Sequence, residues 1–309
     1  GVDGKADLHT AVPRATRGNL PLFSNEGHTV SPNSPPVVVR DTVISGAAMS
    51  DRPTLKEWPP GSVQGFDVRT GELKWIFHTI PDADEFGNDS WQNDSWRYTG
   101  NTGVWAQMTI DPELNMAYFP VEAPTGDYYG GHRPGDTLFA ESLVALDIET
   151  GERIWHYQIV HHELWDYDPP AAPNLVDITV DGREIKALAQ VSKQGFVYVL
   201  DRISGEPVWP IEERAVPAST VPGERASPTQ PFPVKPPPLV RHSLRPDEAW
   251  GLLFFDRRAC EARLEELRFE GIYTPPSMQG TLMYPGNAGG SNWGGVAVDP
   301  ERQLLFANV

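Results

Sequence analysis

The sequence predicts an all-β protein assembled from repeated antiparallel hairpins, and three observations support this class. A pattern that ends in tryptophan occurs three times, at residues 65–75, 145–155 and 199–209. The 31 prolines and 28 glycines are dispersed between short apolar runs, which favours many turns over disorder. Residues 37–46 are rich in β-branched side chains and are typical of two short strands around a turn.

Each copy of the repeat has the spacing of a hairpin. Asp67, Asp147 and Asp201 are each followed four residues later by glycine and eight residues later by tryptophan. The Asp-x-x-(Thr/Ser)-Gly-Glu segment predicts a turn with glycine in the left-handed conformation, followed by a strand that ends at tryptophan. Three such copies predict stacked supersecondary units. A β-propeller of four-stranded blades carrying loop insertions fits this arrangement best.

Two stretches interrupt the repeat. Residues 211–239 are rich in proline and predict an extended surface loop. Residues 259–267 predict a short amphipathic helix, with Leu264 and Leu267 on one face. Together they indicate an insertion between blades at about 211–275 within a single domain that spans 1–309.

The composition excludes several classes of partner and site. A net charge of −17 argues against a nucleic acid or an anionic membrane surface as partner. No apolar run approaches the ~20 residues that a membrane span requires. The single cysteine, Cys260, excludes an internal disulfide and a multi-cysteine metal site. Because the chain begins without methionine and stops inside an apolar run, we expect it to be a fragment.

One loop concentrates chemically capable side chains. Residues 161–170 contain two histidines, three carboxylates and two aromatic residues, and they end in Pro-Pro. Proline cannot donate ladder hydrogen bonds, so this stretch is a stiff loop that leaves a strand, and such loops often carry functional groups. The alternative is a capped polar surface loop. His161 and His162 are adjacent and point to opposite sides, which argues against a shared metal ion.

The motifs taken together resemble the pyrroloquinoline-quinone (PQQ) dehydrogenases. The resemblance rests on the tryptophan repeat and on four motifs, at residues 105–112, 125–131, 161–169 and 191–195. The repeat is similar to the tryptophan-docking motif of that eight-bladed family. The spacing from Trp165-Asp166 to Lys193 resembles that of the membrane glucose dehydrogenase branch more than that of the methanol dehydrogenases. The resemblance implies that part of the propeller ring lies outside these 309 residues.

The resemblance also implies roles for individual residues. It makes Asp166 the catalytic base that takes the substrate hydroxyl proton. Lys193 would hydrogen-bond the quinone oxygens and stabilise the reduced cofactor. Trp105 would lie flat against the cofactor ring, and Thr125 and Asn308 would be further cofactor contacts. The structural alternatives are a turn-capping residue for Asp166, an exposed turn residue for Lys193 and a core residue for Trp105.

The same family holds Ca²⁺, or Mg²⁺ in the glucose branch, through oxygen ligands. The resemblance aligns Asp51 with the acidic ligand, with Glu57 as a second candidate, and gives Asp166 a place beside the cation. A further oxygen ligand of the methanol dehydrogenase pattern falls near Ala123, which has no side-chain oxygen. Asp168, next to Pro169, is interpreted as structural.

The functional expectation is a PQQ-dependent dehydrogenase that oxidises an alcohol or a sugar hydroxyl. Electrons would leave to a quinone or a cytochrome. The resemblance implies a periplasmic location, and it allows for membrane association through a segment outside this chain. One alternative is a propeller that serves as a non-catalytic binding scaffold. Another is a glycoside-acting propeller that uses Glu163 and Asp166 as paired carboxylates.

Overall fold

A computed structural model describes residues 30–31, 34–49 and 56–309, and these form an antiparallel all-β structure with one α-helix. The first four-stranded sheet contains β2 (Val37–Val39), β3 (Thr42–Gly46), β5 (Ser62–Asp67) and β6 (Leu73–His78). The second contains β7 (Thr109–Asp111), β8 (Met116–Pro120), β9 (Ser142–Asp147) and β10 (Arg153–Gln158). In both sheets the strands pair in chain order, as in a propeller blade.

The remaining strands form smaller sheets. The third sheet contains β11 (Asn174–Val180), β12 (Arg183–Val191) and β13 (Val197–Asp201). Three two-stranded sheets pair β1 (Val30–Ser31) with β4 (Ala48–Met49), β14 (Ile211–Ala215) with β15 (Thr229–Pro233), and β16 (Val296–Asp299) with β17 (Leu304–Ala307). Short 3-10 helices occupy Asn88–Ser90, Gln92–Arg97 and Pro246–Glu248, and the helix α1 spans Phe254–Glu266.

The predicted hairpin turns form as expected. Oδ1 of Asp67 accepts the backbone N–H groups of Arg69 and Thr70 at 2.9 and 2.8 Å, and the other two copies repeat this geometry. The glycine four residues after each aspartate has φ of 72°, 72° and 77°. A side chain would be strained in that conformation, so the pattern requires glycine at this position.

The tryptophans of the first two repeats join one sheet to the next. Trp75 Nε1 donates to the carbonyl oxygen of Ile148 at 3.0 Å, and Trp155 Nε1 donates to that of Arg202 at 3.1 Å. The rings also pack against the next repeat's turn glycine, because a Cβ atom on Gly205 would lie 2.7 Å from the Trp155 ring. The repeat is therefore an inter-sheet contact as well as a hairpin signal.

The second sheet is packed on both faces. Phe119 packs in a buried cluster with Ile44 of the first sheet, whereas its neighbour Tyr118 packs in a cluster with Leu200 of the third sheet. Side chains alternate between the faces of a strand, so adjacent residues meet different neighbouring sheets. This face-to-face stacking confirms the all-β class and the predicted succession of blade-like sheets.

The interrupting stretch differs from its prediction. Residues 211–239 do not form only an extended surface loop, because β14 and β15 pair as a hairpin and Gln230 within β15 is fully buried. The helix begins earlier than predicted, at Phe254, and it has no fully buried residue. Leu264 and Leu267 are half-buried. Among the described residues, no helix is long and apolar enough to cross a membrane.

The tryptophan contact between sheets yields a stability prediction. We expect Trp155→Ala to lower the free energy of unfolding by about 3–5 kcal/mol, because it removes a buried ring. Trp155→Phe should cost about 0.5–1.5 kcal/mol, because one hydrogen bond to the Arg202 carbonyl oxygen is lost while the Tyr118 hydroxyl still donates to that oxygen at 3.0 Å. Urea unfolding measures both. Trp250→Ala is the control, since Trp250 is 78% exposed, and an equal loss there would contradict the assignment.

Candidate active site

Two carboxyl groups and one ammonium group form the centre of the candidate site. Nζ of Lys193 donates to the carbonyl oxygen of Asp166 at 2.8 Å, to its Oδ1 at 2.9 Å and to Oδ2 of Asp168 at 3.0 Å. An ammonium group has three N–H donors, so these bonds use all of them. Lys193 lies between β12 and β13, and the aspartates lie between β10 and β11. Packing of distant segments therefore assembles the cluster.

The two aromatic neighbours of Asp166 fix its position. Trp165 and Tyr167 are buried in one apolar cluster, and each also makes a hydrogen bond through its polar atom. Trp165 Nε1 donates to the carbonyl oxygen of Thr274 at 2.9 Å, and the Tyr167 hydroxyl donates to that of Pro285 at 2.7 Å. Asp166 itself has φ of 56°, a left-handed conformation that non-glycine residues rarely adopt. Flanking contacts hold it there.

A cavity of about 560 Å³ opens beside the cluster. The half-buried indole of Trp105 forms part of its wall, and Trp105 Nε1 donates to Oδ2 of Asp168 at 3.3 Å. Lys193 Nζ lies 5.8 Å from the centre of the same ring. The cavity is lined by Pro35, Trp105, Ala106, Gln107, Glu122, Asp166, Asp168, Lys193, Asn292 and Trp293.

The two aspartates have opposite electrostatic environments. Burial, with the nearby charge of Asp168, raises the pKa of Asp166 to about 8 although Lys193 opposes the shift. Burial would also raise the pKa of Asp168, but the Lys193 ammonium and the N–H of Ala123 lower it to about 2. Burial would lower the pKa of Lys193, and the two aspartates raise it instead. At neutral pH Asp168 is therefore the ionised partner of Lys193.

Two further carboxyl groups lie behind this cluster. Glu141 and Glu163 are fully buried. Burial raises the pKa of Glu141 well above its usual range and that of Glu163 to about 7, and the charge of Asp168 contributes to both shifts. The fully buried Arg133 donates to the carbonyl oxygen of Glu163 at 2.6 Å. Glu163 belongs to the predicted loop, but nothing in the sequence marks Glu141 or Arg133.

Comparison with known proteins identifies the family. Residues 1–309 match the family described as "PQQ: Glucose/ethanol/alcohol dehydrogenase, beta-propeller domain". The chain belongs to this PQQ dehydrogenase family. It is 39% identical over 306 residues to the quinoprotein glucose dehydrogenase of Escherichia coli (strain K12), covering 95% of this chain and 37% of that protein. It is 33% identical to the quinate/shikimate dehydrogenase (quinone) of Acinetobacter baylyi, covering 100% of this chain and 37% of that protein.

The PQQ dehydrogenase domain also matches solved structures. The quinohaemoprotein alcohol dehydrogenase from Comamonas testosteroni aligns with a TM-score of 0.61 at 23% identity. That alignment covers 91% of this chain and 38% of the other, and it supports a shared fold. The chain therefore spans well under half the length of the relatives it matches.

The residues of the cavity suit the cofactor that the family name implies. PQQ is a planar, anionic quinone, and the cavity offers it the indole of Trp105 as part of the wall and the ammonium group of Lys193 beside it. A cavity of about 560 Å³ is within the usual range for small-molecule sites. Carboxylates that line the cavity, Glu122 and Asp166 among them, are the oxygen donors that Ca²⁺ or Mg²⁺ prefers.

The structure brings together some of the residues predicted for the site and separates others. Asp166, Lys193 and Trp105 line one cavity. Asp51 lies outside the described residues. Glu57 is exposed and is absent from the cavity lining. Asp168, interpreted from the sequence as structural, also lines the cavity and supports Lys193 and Trp105.

Two of the predicted cofactor contacts lie elsewhere. Thr125 does not line the cavity. It is buried, and its hydroxyl group accepts from the Gly100 N–H at 3.2 Å. Asn308 is exposed beyond β17 and does not line it either. Asn292 and Trp293, to which the sequence analysis assigned no role in the site, take part in the lining instead. Their position depends on packing between segments, which the Asn-Trp-Gly-Gly pattern does not encode.

Asp168 and Lys193 should be energetically coupled. We expect Lys193→Met to lower the free energy of unfolding of the cofactor-free protein by about 3–5 kcal/mol, because it leaves a buried carboxylate uncompensated. Adding Asp168→Asn should recover part of that loss. Lys186→Met is the control, because Lys186 pairs with Glu113 at the exposed surface and should change stability by less than about 1 kcal/mol. Strictly additive losses would contradict the coupling.

The ionisation of Asp166 should also depend on folding. Its folded pKa of about 8 exceeds the unfolded value of 3.8, so its stabilising contribution is complete below the unfolded pKa and is lost as pH rises towards 8. We expect this group to lower the unfolding free energy by up to about 1.4 kcal/mol per pH unit in that window. Asp166→Asn should remove this part of the slope. Parallel pH curves for the two cofactor-free proteins would refute the assignment.

Proposed function

We propose that this chain carries the cofactor and substrate site of a PQQ-dependent dehydrogenase that oxidises an alcohol or a sugar hydroxyl. The observation that carries the proposal is the position of Asp166, which lies beside Lys193 in a cavity walled by Trp105. Known relatives support it, because they are named as glucose, quinate/shikimate and glycerol dehydrogenases. The chain covers only 37–43% of these relatives. The activity and the substrate class of the whole protein are therefore part of this proposal.

Asp166 is suited to the role of general base. Oxidation of an alcohol requires that the hydroxyl proton leave as hydride departs from carbon, and bound PQQ would supply the hydride acceptor. The raised pKa of Asp166, about 8, lies close to neutral pH, where a general base is most effective. Lys193 donates to the carbonyl oxygen and to Oδ1 of Asp166, so it leaves Oδ2 unused. That oxygen accepts from the side-chain amide of Asn287 at 3.3 Å.

Lys193 would hold Asp166 and place positive charge at the cavity wall. Its three N–H groups are already donated to the two aspartates. A cofactor oxygen that accepts from Lys193 would therefore replace or share one of those bonds. We propose that Asp168, whose low pKa keeps it ionised, retains Lys193 while the Asp166 carboxylate turns towards substrate and cation.

The cation site is the second part of the proposal. Asp166 would bind Ca²⁺ or Mg²⁺ together with Asp51, and Glu122 is a further carboxylate at the same cavity. Ala123 provides no side-chain ligand, and its N–H donates to Oδ1 of Asp168 at 2.8 Å. Within the described ranges, one group of three possible ligands lies close enough together to hold an ion, namely His78, Asp82 and Glu85, and it is not part of this cavity.

The whole protein would complete the propeller around this chain. We propose an eight-bladed ring to which these sheets contribute adjacent blades, with electrons leaving to a quinone or a cytochrome. The relatives named as a quinone-linked dehydrogenase and as a quinohaemoprotein support these acceptors. We also propose a periplasmic location, which the family resemblance implies.

A non-catalytic scaffold is the alternative, and two observations favour it. Lys193 is saturated by its aspartate bonds, as expected for a purely structural ion cluster. Ala123 also occupies the place where a related pattern has an oxygen ligand. Turnover distinguishes a scaffold from an enzyme.

The base assignment is tested with the full-length protein, PQQ and either Ca²⁺ or Mg²⁺. We expect Asp166→Asn to lower kcat for dye reduction with glucose or ethanol by roughly 10²–10⁴-fold, the usual contribution of a general base. PQQ affinity should change far less, because Trp105 and Lys193 remain. The exposed Asp136→Asn is the control and should retain activity. If the wild type binds no PQQ with either metal, this result would contradict the proposal of an enzyme and favour a non-catalytic scaffold.

A further inference from the structure

The hairpin β14–β15 holds the backbone of the loop that carries Asp166. Gln230, in β15, is fully buried. Its Oε1 accepts the N–H of His161 at 2.8 Å, and its Nε2 donates to the carbonyl oxygen of the same residue at 2.6 Å. One side-chain amide therefore satisfies both backbone groups of His161, as a neighbouring strand would. Burial makes each of these bonds costly to lose.

A second buried contact follows at the next residue. Nε2 of His162 lies 2.6 Å from Oε1 of Glu224, and their side chains are 2% and 3% exposed. The other ring nitrogen of His162 lies 2.8 Å from the carbonyl oxygen of Gly135. Glu224 also accepts the N–H of Gly130. The carboxylate thus joins the connection between β14 and β15, the turn near Gly130 and the loop that carries Asp166.

These contacts have more than a general packing role, because the loop adopts an unfavourable backbone conformation. His162 and Asp166 have φ of 47° and 56°. Each left-handed non-glycine residue costs roughly 1–3 kcal/mol and persists only where surrounding structure enforces it. Gln230 and Glu224 hydrogen-bond to His161 and His162 at the start of the loop, and Asn287 hydrogen-bonds to Asp166 itself.

The other polar contact between His161 and the hairpin provides a comparison. Nε2 of His161 lies 3.1 Å from Oε1 of Glu213, whose side chain is 50% exposed. Exposed pairs of this kind contribute little because water competes for both partners. Glu213 therefore supplies a control from the same hairpin that contacts the same loop residue.

We propose that residues 211–233 form a brace for the loop at 161–170, and that Gln230 and Glu224 are positioning residues for Asp166. The brace acts through the backbone of His161 and the side chain of His162, neither of which lines the cavity. Its catalytic consequence rests on the proposed function, whereas its effect on the loop does not. The inserted hairpin would thus be required to orient the base.

The effect on the loop is measured by hydrogen–deuterium exchange of the full-length protein without cofactor. Gln230→Met keeps the side-chain volume and removes both hydrogen bonds, and we expect roughly tenfold faster exchange in peptides that cover 161–170. Gln230→Glu retains an acceptor for the His161 N–H and should give a smaller increase. Glu213→Gln should match the wild type. Unchanged exchange in both Gln230 variants would overturn the brace.

The catalytic consequence is measured on the PQQ-loaded protein. We expect Gln230→Met and Glu224→Gln to lower kcat by about tenfold or more, since small displacements of a catalytic group cost this much. KM and PQQ stoichiometry should stay within about twofold of the wild type. The primary deuterium isotope effect on kcat should rise as proton and hydride transfer become slower. A fall in kcat that is fully explained by a smaller fraction of folded protein, together with an unchanged isotope effect, would overturn the positioning role.

The two proposals can fail separately. If the wild type has no PQQ-dependent turnover, the proposed function fails and exchange alone decides the brace: faster exchange in the Gln230 variants supports it, and unchanged exchange overturns it. If Gln230→Met does not fold, Gln230→Glu and Glu224→Gln carry both measurements. Normal exchange and kcat in these two variants would then overturn the brace.

Discussion

The site depends on the single ammonium group of Lys193, which is shared by two carboxyl groups. One positive charge cannot neutralise both Asp166 and Asp168 in a buried setting, so their pKa values move apart, to about 8 and about 2. Asp168 also accepts from Ala123 and Trp105, which secures it as the ionised partner. The environment thereby leaves Asp166 as the carboxyl group able to exchange a proton near neutral pH.

Stacking of the sheets brings this cluster together. Trp105 precedes β7, Asp166 follows β10 and Lys193 follows β12, so each comes from a connection between strands. The tryptophan-to-glycine contacts fix neighbouring sheets against one another, as Trp155 does across Gly205. The rigid part of the fold therefore sets the distances between connections, and local buried bonds set the conformation of each connection.

Local signals in the sequence were sufficient for part of this structure. The Asp-to-Trp spacing encodes a turn and a return strand within a few residues, so the turns of all three copies and the return strands of the first two could be predicted. In the third copy the return strand is reduced to a single bridge between Leu200 and Pro207. Asp166, Lys193 and Trp105 could be proposed because family motifs surround them. Gln230, Glu224 and Asn287 could not, because their contacts with 161–166 join residues 62–121 positions apart and leave no local pattern. Thr125 and Asn308 were placed by motif alignment alone, and alignment does not reveal which side chains reach a cavity.

The most direct test is an experimental structure of the full-length protein with PQQ and Ca²⁺ or Mg²⁺ bound. We expect a cofactor packed against the Trp105 indole, with Lys193 donating to a cofactor oxygen while it keeps its bond to Asp168. The Asp166 carboxylate should face the cation and the substrate position. A cofactor bound away from Trp105, with all three Lys193 bonds to the aspartates intact, would contradict the roles proposed for Trp105, Lys193 and Asp166.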